Sequence, residues 1–279
     1  MKTVLISLIG SYLGVVALVY VFQRNLMYAP GHDVVSPQAA GVPEMSVHKL
    51  SVADGLEITS WYAPPKSDNK SVVVLFQGNA GTISSRAFKA RYFLDAGLGV
   101  MLVGYRGYSD NPGTPNEKGL YMDARAALMF LTEQGVSSDQ WVLYGESLGC
   151  AIAVQMAFDI QHDKITGQNS PSALILEAPF TSMGDVAAHH YPWLPARLLV
   201  RDHYDSFEKI PSLNVALLVV HGEGDSTIPQ SQGKALFNLA SEPKDALWIE
   251  GAGHNNLFDY GVGPAMVEWV LKAHAKLPL

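Results

Sequence analysis

A serine, an aspartate and a histidine in this 279-residue chain stand where nucleophilic catalysis needs them. Ser147 is the centre of Gly145-Glu146-Ser147-Leu148-Gly149, directly behind the apolar run Trp141-Val142-Leu143-Tyr144. At a strand-to-helix turn the middle residue of Gly-x-Ser-x-Gly occupies the apex, so its hydroxyl projects into a cleft. The flanking glycines are needed because a side chain there would collide with the adjoining strand or helix. Chance supplies about 0.2 such pentapeptides in a chain of this length and composition, so context decides. Here a strand-like run precedes the motif, and Cys150-Ala151-Ile152-Ala153-Val154-Gln155-Met156-Ala157 reads as a helix behind it. A serine hydroxyl is a poor nucleophile until a base takes its proton, and the base needs an orienting acid. Asp225 follows Val219-Val220-His221-Gly222, and His254 lies in Glu250-Gly251-Ala252-Gly253-His254-Asn255, behind the next strand. Strand ends are where such sheets gather their chemistry, and Ser, Asp, His is the chain order expected of a serine on this kind of elbow. Ser147, Asp225 and His254 are the expected catalytic residues.

Plainer readings compete at each position. An aspartate after a strand is most often a turn former or helix cap, and Glu177 and Asp185, near the end of the preceding strand, are rival acids. His221 reads as structural. His189, His190 and His203 show no metal-ligand spacing with a cysteine or carboxylate. Cys150, the only cysteine, excludes an intrachain disulfide and reads as a small buried residue. An acyl-transfer intermediate also needs donors for its oxyanion. Leu148 supplies one backbone N–H by following the serine, and the loop Gln77-Gly78-Asn79-Ala80-Gly81 should supply the other, from Asn79 with Ala80 as its neighbour. No Lys-Ser/Thr follows that loop, so a phosphate cradle is not indicated.

Positioning these residues takes a series of elements. Residues 46–52 and 56–62 read as a hairpin about Ala53-Asp54-Gly55, and residues 64–70 as a loop. Strands are expected at 72–76, 100–104, 140–144, 173–177, 215–221 and 246–250, and helices at 83–96, 117–134, after Ser147, near 230–240 and at 264–275. A hairpin followed by alternating strands and helices implies a mostly parallel sheet covered on both faces. The length suits one large α/β domain, and 48% hydrophobic with 16% charged residues describes a globular chain. A formal charge of −7 with no Lys/Arg cluster argues against a nucleic-acid partner.

The N-terminus differs from the rest. Residues 4–22 carry no charge and are long enough to span a bilayer as a helix, with Lys2 before and Arg24 after. A cleaved signal would have a shorter apolar core and a better small-x-small site than Gly14 and Ala17 offer. Residues 1–22 are therefore expected to be a single-pass membrane anchor in contact with lipid. Residues 23–45 are expected to be a tether and residues 46–279 the folded domain. The slight positive excess before the span favours the domain on the extracytoplasmic side.

The chain resembles the serine α/β-hydrolases, in particular the membrane-anchored group with a short N-terminal helix. The resemblance covers nearly the whole chain. It rests on Phe22-Gln23-Arg24, Gln77-Gly78-Asn79-Ala80-Gly81, Tyr105-Arg106-Gly107-Tyr108-Ser109, Gly145-Glu146-Ser147-Leu148-Gly149, Pro179-Phe180-Thr181-Ser182, Tyr191-Pro192-Trp193-Leu194-Pro195, Asp225 and Gly251-Ala252-Gly253-His254-Asn255. Gln77 stands where the family usually has His; its amide is expected to hold the loop by hydrogen bonds. The resemblance implies an α/β-hydrolase fold: a mostly parallel sheet of about eight strands, helices on both faces and a small cap insertion at about 180–214. It implies esterase, lipase-like or thioesterase activity on a small acyl ester or thioester, without cofactor or metal. The insertion holds Phe180, Tyr191, Trp193, Leu194, Leu198, Leu199, Tyr204 and Phe207, which either wall an acyl chain or pack short helices onto the domain. A peptidase or amidase on the same scaffold and a non-catalytic membrane scaffold are the alternatives.

Overall fold

The runs of Val, Leu and Ile in the middle of the chain are buried on both faces, as strands inside a parallel sheet must be. The computed structural model describes residues 1–67, 71–162, 164, 165, 167 and 169–274. Its strands are β1 (Ser46–Ser51), β2 (Glu57–Ala63), β3 (Val72–Phe76), β4 (Gly99–Val103), β5 (Trp141–Glu146), β6 (Ala173–Glu177), β7 (Ala216–Gly222) and β8 (Lys244–Ile249). They form an eight-stranded sheet in the order β8-β7-β6-β5-β3-β4-β2-β1. The two pairings of β2, with β1 and β4, are antiparallel; every other pairing in this sheet is parallel.

Because strand side chains alternate between faces, the sheet carries two cores. Val74, Leu143, Leu176 and Val219 point to the side covered by α3 (Glu117–Glu133), α4 (Leu148–Gln161) and α7 (Gln230–Leu239). Val73, Val142, Ile175 and Val220 point to the side of α2 (Ala87–Asp95) and α8 (Val262–His274). Each such side chain contributes about 1.5–3 kcal/mol of burial energy, which fixes the strand ends that bear the candidate site. Asn116 caps α3 by accepting the Gly119 N–H at 2.9 Å. The expected helix over 83–96 opens as a 3-10 turn, Ile83–Arg86, because Thr82 and Ser85 form a reciprocal capping box there. Residues 68–70 of the expected loop and Ala275 of the expected last helix lie outside the described residues.

Between β6 and β7 the insertion carries α5 (Met183–His190), α6 (Ala196–Leu199) and a 3-10 turn, Ile210–Ser212. The N-terminal helix α1 spans Lys2–Met27, long and apolar enough to cross a bilayer. The expected tether over 23–45 is corrected here. Helix α1 continues through Met27, and Tyr28, Val42 and Met45 beyond it are buried. Ala29–Pro30 pairs in parallel with Ala80–Gly81. Polar residues at the end of the apolar stretch bind the insertion, which holds the segment down.

Candidate active site

Strand β5 delivers Ser147 and α4 begins one residue later. The turn between them forces Ser147 to φ 52° and ψ −113°, a conformation that side chains seldom adopt. Both glycines are explained by contact. A Cβ on Gly145 would lie 2.4 Å from the Gly149 carbonyl oxygen, and one on Gly149 would lie 1.9 Å from that of Phe76. Ser147 N–H donates to the Glu177 carbonyl at 2.8 Å, tying the turn to β6.

The structure brings Ser147, His254 and Asp225 together. His254 Nδ1 lies 2.7 Å from Asp225 Oδ2, and Nε2 lies 3.1 Å from Ser147 Oγ. Nδ1 faces a carboxylate and carries the proton, which leaves Nε2 free to accept from the serine hydroxyl. Asp225 Oδ1 accepts the N–H groups of Thr227 at 2.9 Å and Ile228 at 2.8 Å. Burial opposes ionisation of Asp225, but hydrogen bonds from His221 and His254 outweigh it and hold the carboxyl well below the usual carboxylate range.

The rival acids lie elsewhere. Ser182 caps α5 by accepting the Asp185 N–H, and the Asp185 carboxylate accepts from Thr181 Oγ1 and Arg197. Glu177 is buried against Lys89 Nζ, 2.9 Å away, and the Tyr144 hydroxyl. His221 is structural in a way its sequence position did not disclose. Its Nε2 lies 2.9 Å from the Ile228 carbonyl and 3.2 Å from Asp225 Oδ2, so Nε2–H is shared between the two acceptors. The i,i+4 spacing of His221 and Asp225 about a strand end was the available signal. Cys150 is buried, its Sγ 3.1 Å from the carbonyls of Gly145 and Glu177, and burial pushes its thiol up. Among the described residues no three His, Cys, Asp or Glu side chains cluster as metal ligands would.

Asn79 and Leu148 line the same pocket as Ser147. Leu148 is the first residue of α4, so its N–H has no carbonyl within the helix and stands at the positive end of the helix dipole. The Asn79 carbonyl accepts from the Tyr108 hydroxyl at 2.7 Å and the Ala29 N–H at 2.9 Å. Its side-chain amide donates to the Met27 carbonyl at 2.8 Å, so the end of α1 holds this loop. Gln77 departs from expectation: its buried amide has no partner among the described residues, and its backbone carbonyl takes the Tyr105 hydroxyl instead.

Beneath the serine turn lies a buried charged group that sequence reasoning missed. Glu146 accepts from Arg86 Nη2 at 2.6 Å and Lys89 Nζ at 2.7 Å, and Lys89 also reaches Glu177. Burial opposes the charge on Glu146, but Lys89 and Arg86 outweigh it and hold the carboxyl at about 2. Arg86 Nη1 donates in addition to the Ala80 carbonyl at 2.9 Å, joining the 77–81 loop to the turn. Above the serine is an apolar cavity of about 310 Å³. Phe180, Tyr191, Leu194 and Leu199 of the insertion face it, whereas Trp193, Leu198 and Phe207 are exposed and Tyr204 packs in the core. The opposite wall was not foreseen: it is Val19, Tyr20, Gln23, Leu26 and Met27 of α1.

Comparison with known proteins agrees with this architecture. No protein-family model matches the chain. An uncharacterised protein of Mycobacterium tuberculosis is 39% identical over 254 residues, covering 90% of this chain and 86% of that one. The human alpha/beta hydrolase domain-containing protein 17B is 34% identical over 158 residues, 56% of this chain and 50% of that protein. Among solved structures, an alpha-beta hydrolase from Vibrio vulnificus superposes with a TM-score of 0.71 at 20% identity, covering 90% of this chain and 92% of that one. The Pyrococcus furiosus esterase Pf2001 gives 0.69 at 14%, covering 88% and 97%. At those identities the likeness is one of fold.

Proposed function

From the α/β-hydrolase fold of the chain we propose that it is a membrane-anchored serine hydrolase of carboxylic esters or thioesters. The observation that carries the reading is the hydrogen-bonded series Ser147 Oγ, His254, Asp225 at the mouth of an apolar pocket. Ser147 Oγ attacks the acyl carbon while its proton passes to His254 Nε2, and Asp225 stabilises the imidazolium. The N–H groups of Leu148 and Asn79 receive the negative charge on the former carbonyl oxygen. His254 then protonates the departing alkoxide or thiolate, and water, deprotonated by the same imidazole, releases the acid from Ser147. The apolar walls suit an acyl chain, in keeping with the esterase from Pyrococcus furiosus that shares this fold.

A fluorophosphonate probe tests this directly. Wild type should label covalently and hydrolyse a chromogenic acyl ester or thioester. Ser147→Ala should do neither while keeping its circular dichroism spectrum, since loss of a catalytic serine costs orders of magnitude in rate. Turnover by the folded Ser147→Ala protein would defeat the proposal.

A further inference from the structure

Helix α1 does more than end near the pocket. Along it, Val16, Val19, Gln23, Arg24 and Met27 are the partly or fully buried positions, a single stripe at helical spacing among exposed neighbours. The insertion lies against that stripe. Gln23 Nε2 donates to the Leu199 carbonyl at 3.2 Å, and Gln23 Oε1 accepts the Arg201 N–H at 2.7 Å. Arg24 Nε donates to Asp202 at 2.7 Å. Farther up, Tyr12 Oη donates to the Trp193 carbonyl at 3.0 Å, and the two rings meet edge to face. The insertion thus climbs α1 from Arg24 to Tyr12.

That climb has a depth. Ten residues of helix separate Phe22, the end of the uncharged stretch, from Tyr12, a rise of about 15 Å. The hydrocarbon layer of a bilayer is about 30 Å thick. A span that uses residues 4–22 therefore carries Trp193 about one leaflet deep. The side chains turned outward there match such a setting: Leu198 is 85% exposed and Trp193 52%. Arg197, the charged residue among them, is paired with Asp185 at 2.6 Å and has a long stem on which to reach the interface. Arg201 stacks on Tyr20 at 6.0 Å, and Arg24 pairs with Asp202, which puts cations at the level where the apolar stretch ends.

We infer that residues 191–199 are embedded in the same leaflet as the second half of α1, so that the pocket opens into lipid and takes the acyl chain of a bilayer-resident ester or thioester without that chain crossing water. The substrate part rests on the serine hydrolase reading; the embedding does not. The seam between α1 and the insertion is where the chain passes, because Val19 and Leu26 on one side and Leu194 and Leu199 on the other line the cavity that leads to Ser147.

Two measurements on the full chain test this. Leu198→Cys is labelled with the environment-sensitive dye NBD and reconstituted in phosphatidylcholine vesicles; Lys49→Cys, on exposed β1, serves as the aqueous reference. The buried Cys150 thiol does not compete for label. Dye at 198 should be quenched by nitroxides on the lipid chains and spared by aqueous iodide, with the reverse at 49. Iodide quenching at 198 without nitroxide quenching overturns the embedding. In the second measurement, the variant Leu198→Asp alters only an outward-facing residue. It should hydrolyse water-soluble 4-nitrophenyl acetate as wild type does, and vesicle-borne 4-nitrophenyl palmitate at least tenfold more slowly. Equal rates on the palmitate, or equal losses on both esters, overturn delivery from the leaflet. A wild type inert to both esters refutes the hydrolase reading and delivery with it, while the quenching result still decides the position of the insertion.

Discussion

Asp225 is the residue on which two histidines meet. Four donors surround its carboxylate: two backbone N–H groups on Oδ1, and His254 and His221 on Oδ2. The shared His221 proton leaves its Nδ1 bare, packed where Gly233 has no side chain; a Cβ there would lie 2.4 Å away. An acid so fixed holds one tautomer of His254 for the proposed chemistry. Asp225→Asn keeps the shape but removes the charge and allows the wrong tautomer, a change that costs about 10⁴ in kcat in a serine protease. A loss of that order is expected here, in kcat more than KM. Asp185→Asn should retain most activity, because the Asp185 carboxylate only accepts from Thr181 and braces Arg197. Steady-state kinetics of both variants on one chromogenic ester checks the assignment, and near-normal kcat in Asp225→Asn would remove Asp225 from it. The Ser-Asp-His arrangement was legible because each residue follows shortly after a strand that its apolar run announces. The role of His221 was not, since its partner is chosen by the turn after β7.

At the scale of elements, the turn between β5 and α4 is braced from below by charge. Glu146 leaves β5, Lys89 and Arg86 come from α2 and the turn before it, and Glu177 ends β6. Lys89 lies on α2, and only the packing of that helix against the sheet brings it to Glu146 and Glu177 beneath Ser147. The alternation of strands and helices was legible, since hydrophobic period is local, whereas this network joins residues 57 to 88 positions apart. Its contribution depends on pH. Glu146 titrates near 4.5 when unfolded and at about 2 when folded. The stabilisation is therefore complete above about pH 4.5 and is lost as pH falls from there towards 2, on the order of 3 kcal/mol in all. Other carboxylates titrate in the same range, so the comparison is with Glu146→Gln. That variant should be less stable at pH 7 and should lose less between pH 5 and 2. Thermal unfolding in detergent followed by tryptophan fluorescence measures both, and parallel curves would show that Glu146 does not carry the dependence.

The molecule as a whole is closed by contacts from its first 28 residues. Arg24 and Tyr28 converge on the buried Asp202, Gln23 on the backbone of the insertion, and the Met27 carbonyl on Asn79. An apolar N-terminal stretch with Gln23-Arg24 behind it announces a helix and its end, but not that this end walls the pocket, because its partners lie some 170 residues away in an irregular segment. The contacts make α1 a part of the candidate site: whatever moves its last turn moves the loop that presents the Asn79 N–H. Asp202→Ala removes the acceptor that Arg24 and Tyr28 share. Cutting a buried pair on one side costs about 3–5 kcal/mol; with Arg24 a third exposed, about 2 kcal/mol is the expected loss, a few degrees in Tm. Arg24 is also a trypsin site held inside a packed helix. In detergent micelles, Asp202→Ala should be cut after Arg24 faster than wild type, and its kcat should fall as the 77–81 loop loses its support. Asp202→Asn keeps the hydrogen bonds' geometry while losing the charge, and should fall between the two on all three readouts. If cleavage at Arg24 and kcat in Asp202→Ala both match wild type, the end of α1 does not govern the loop.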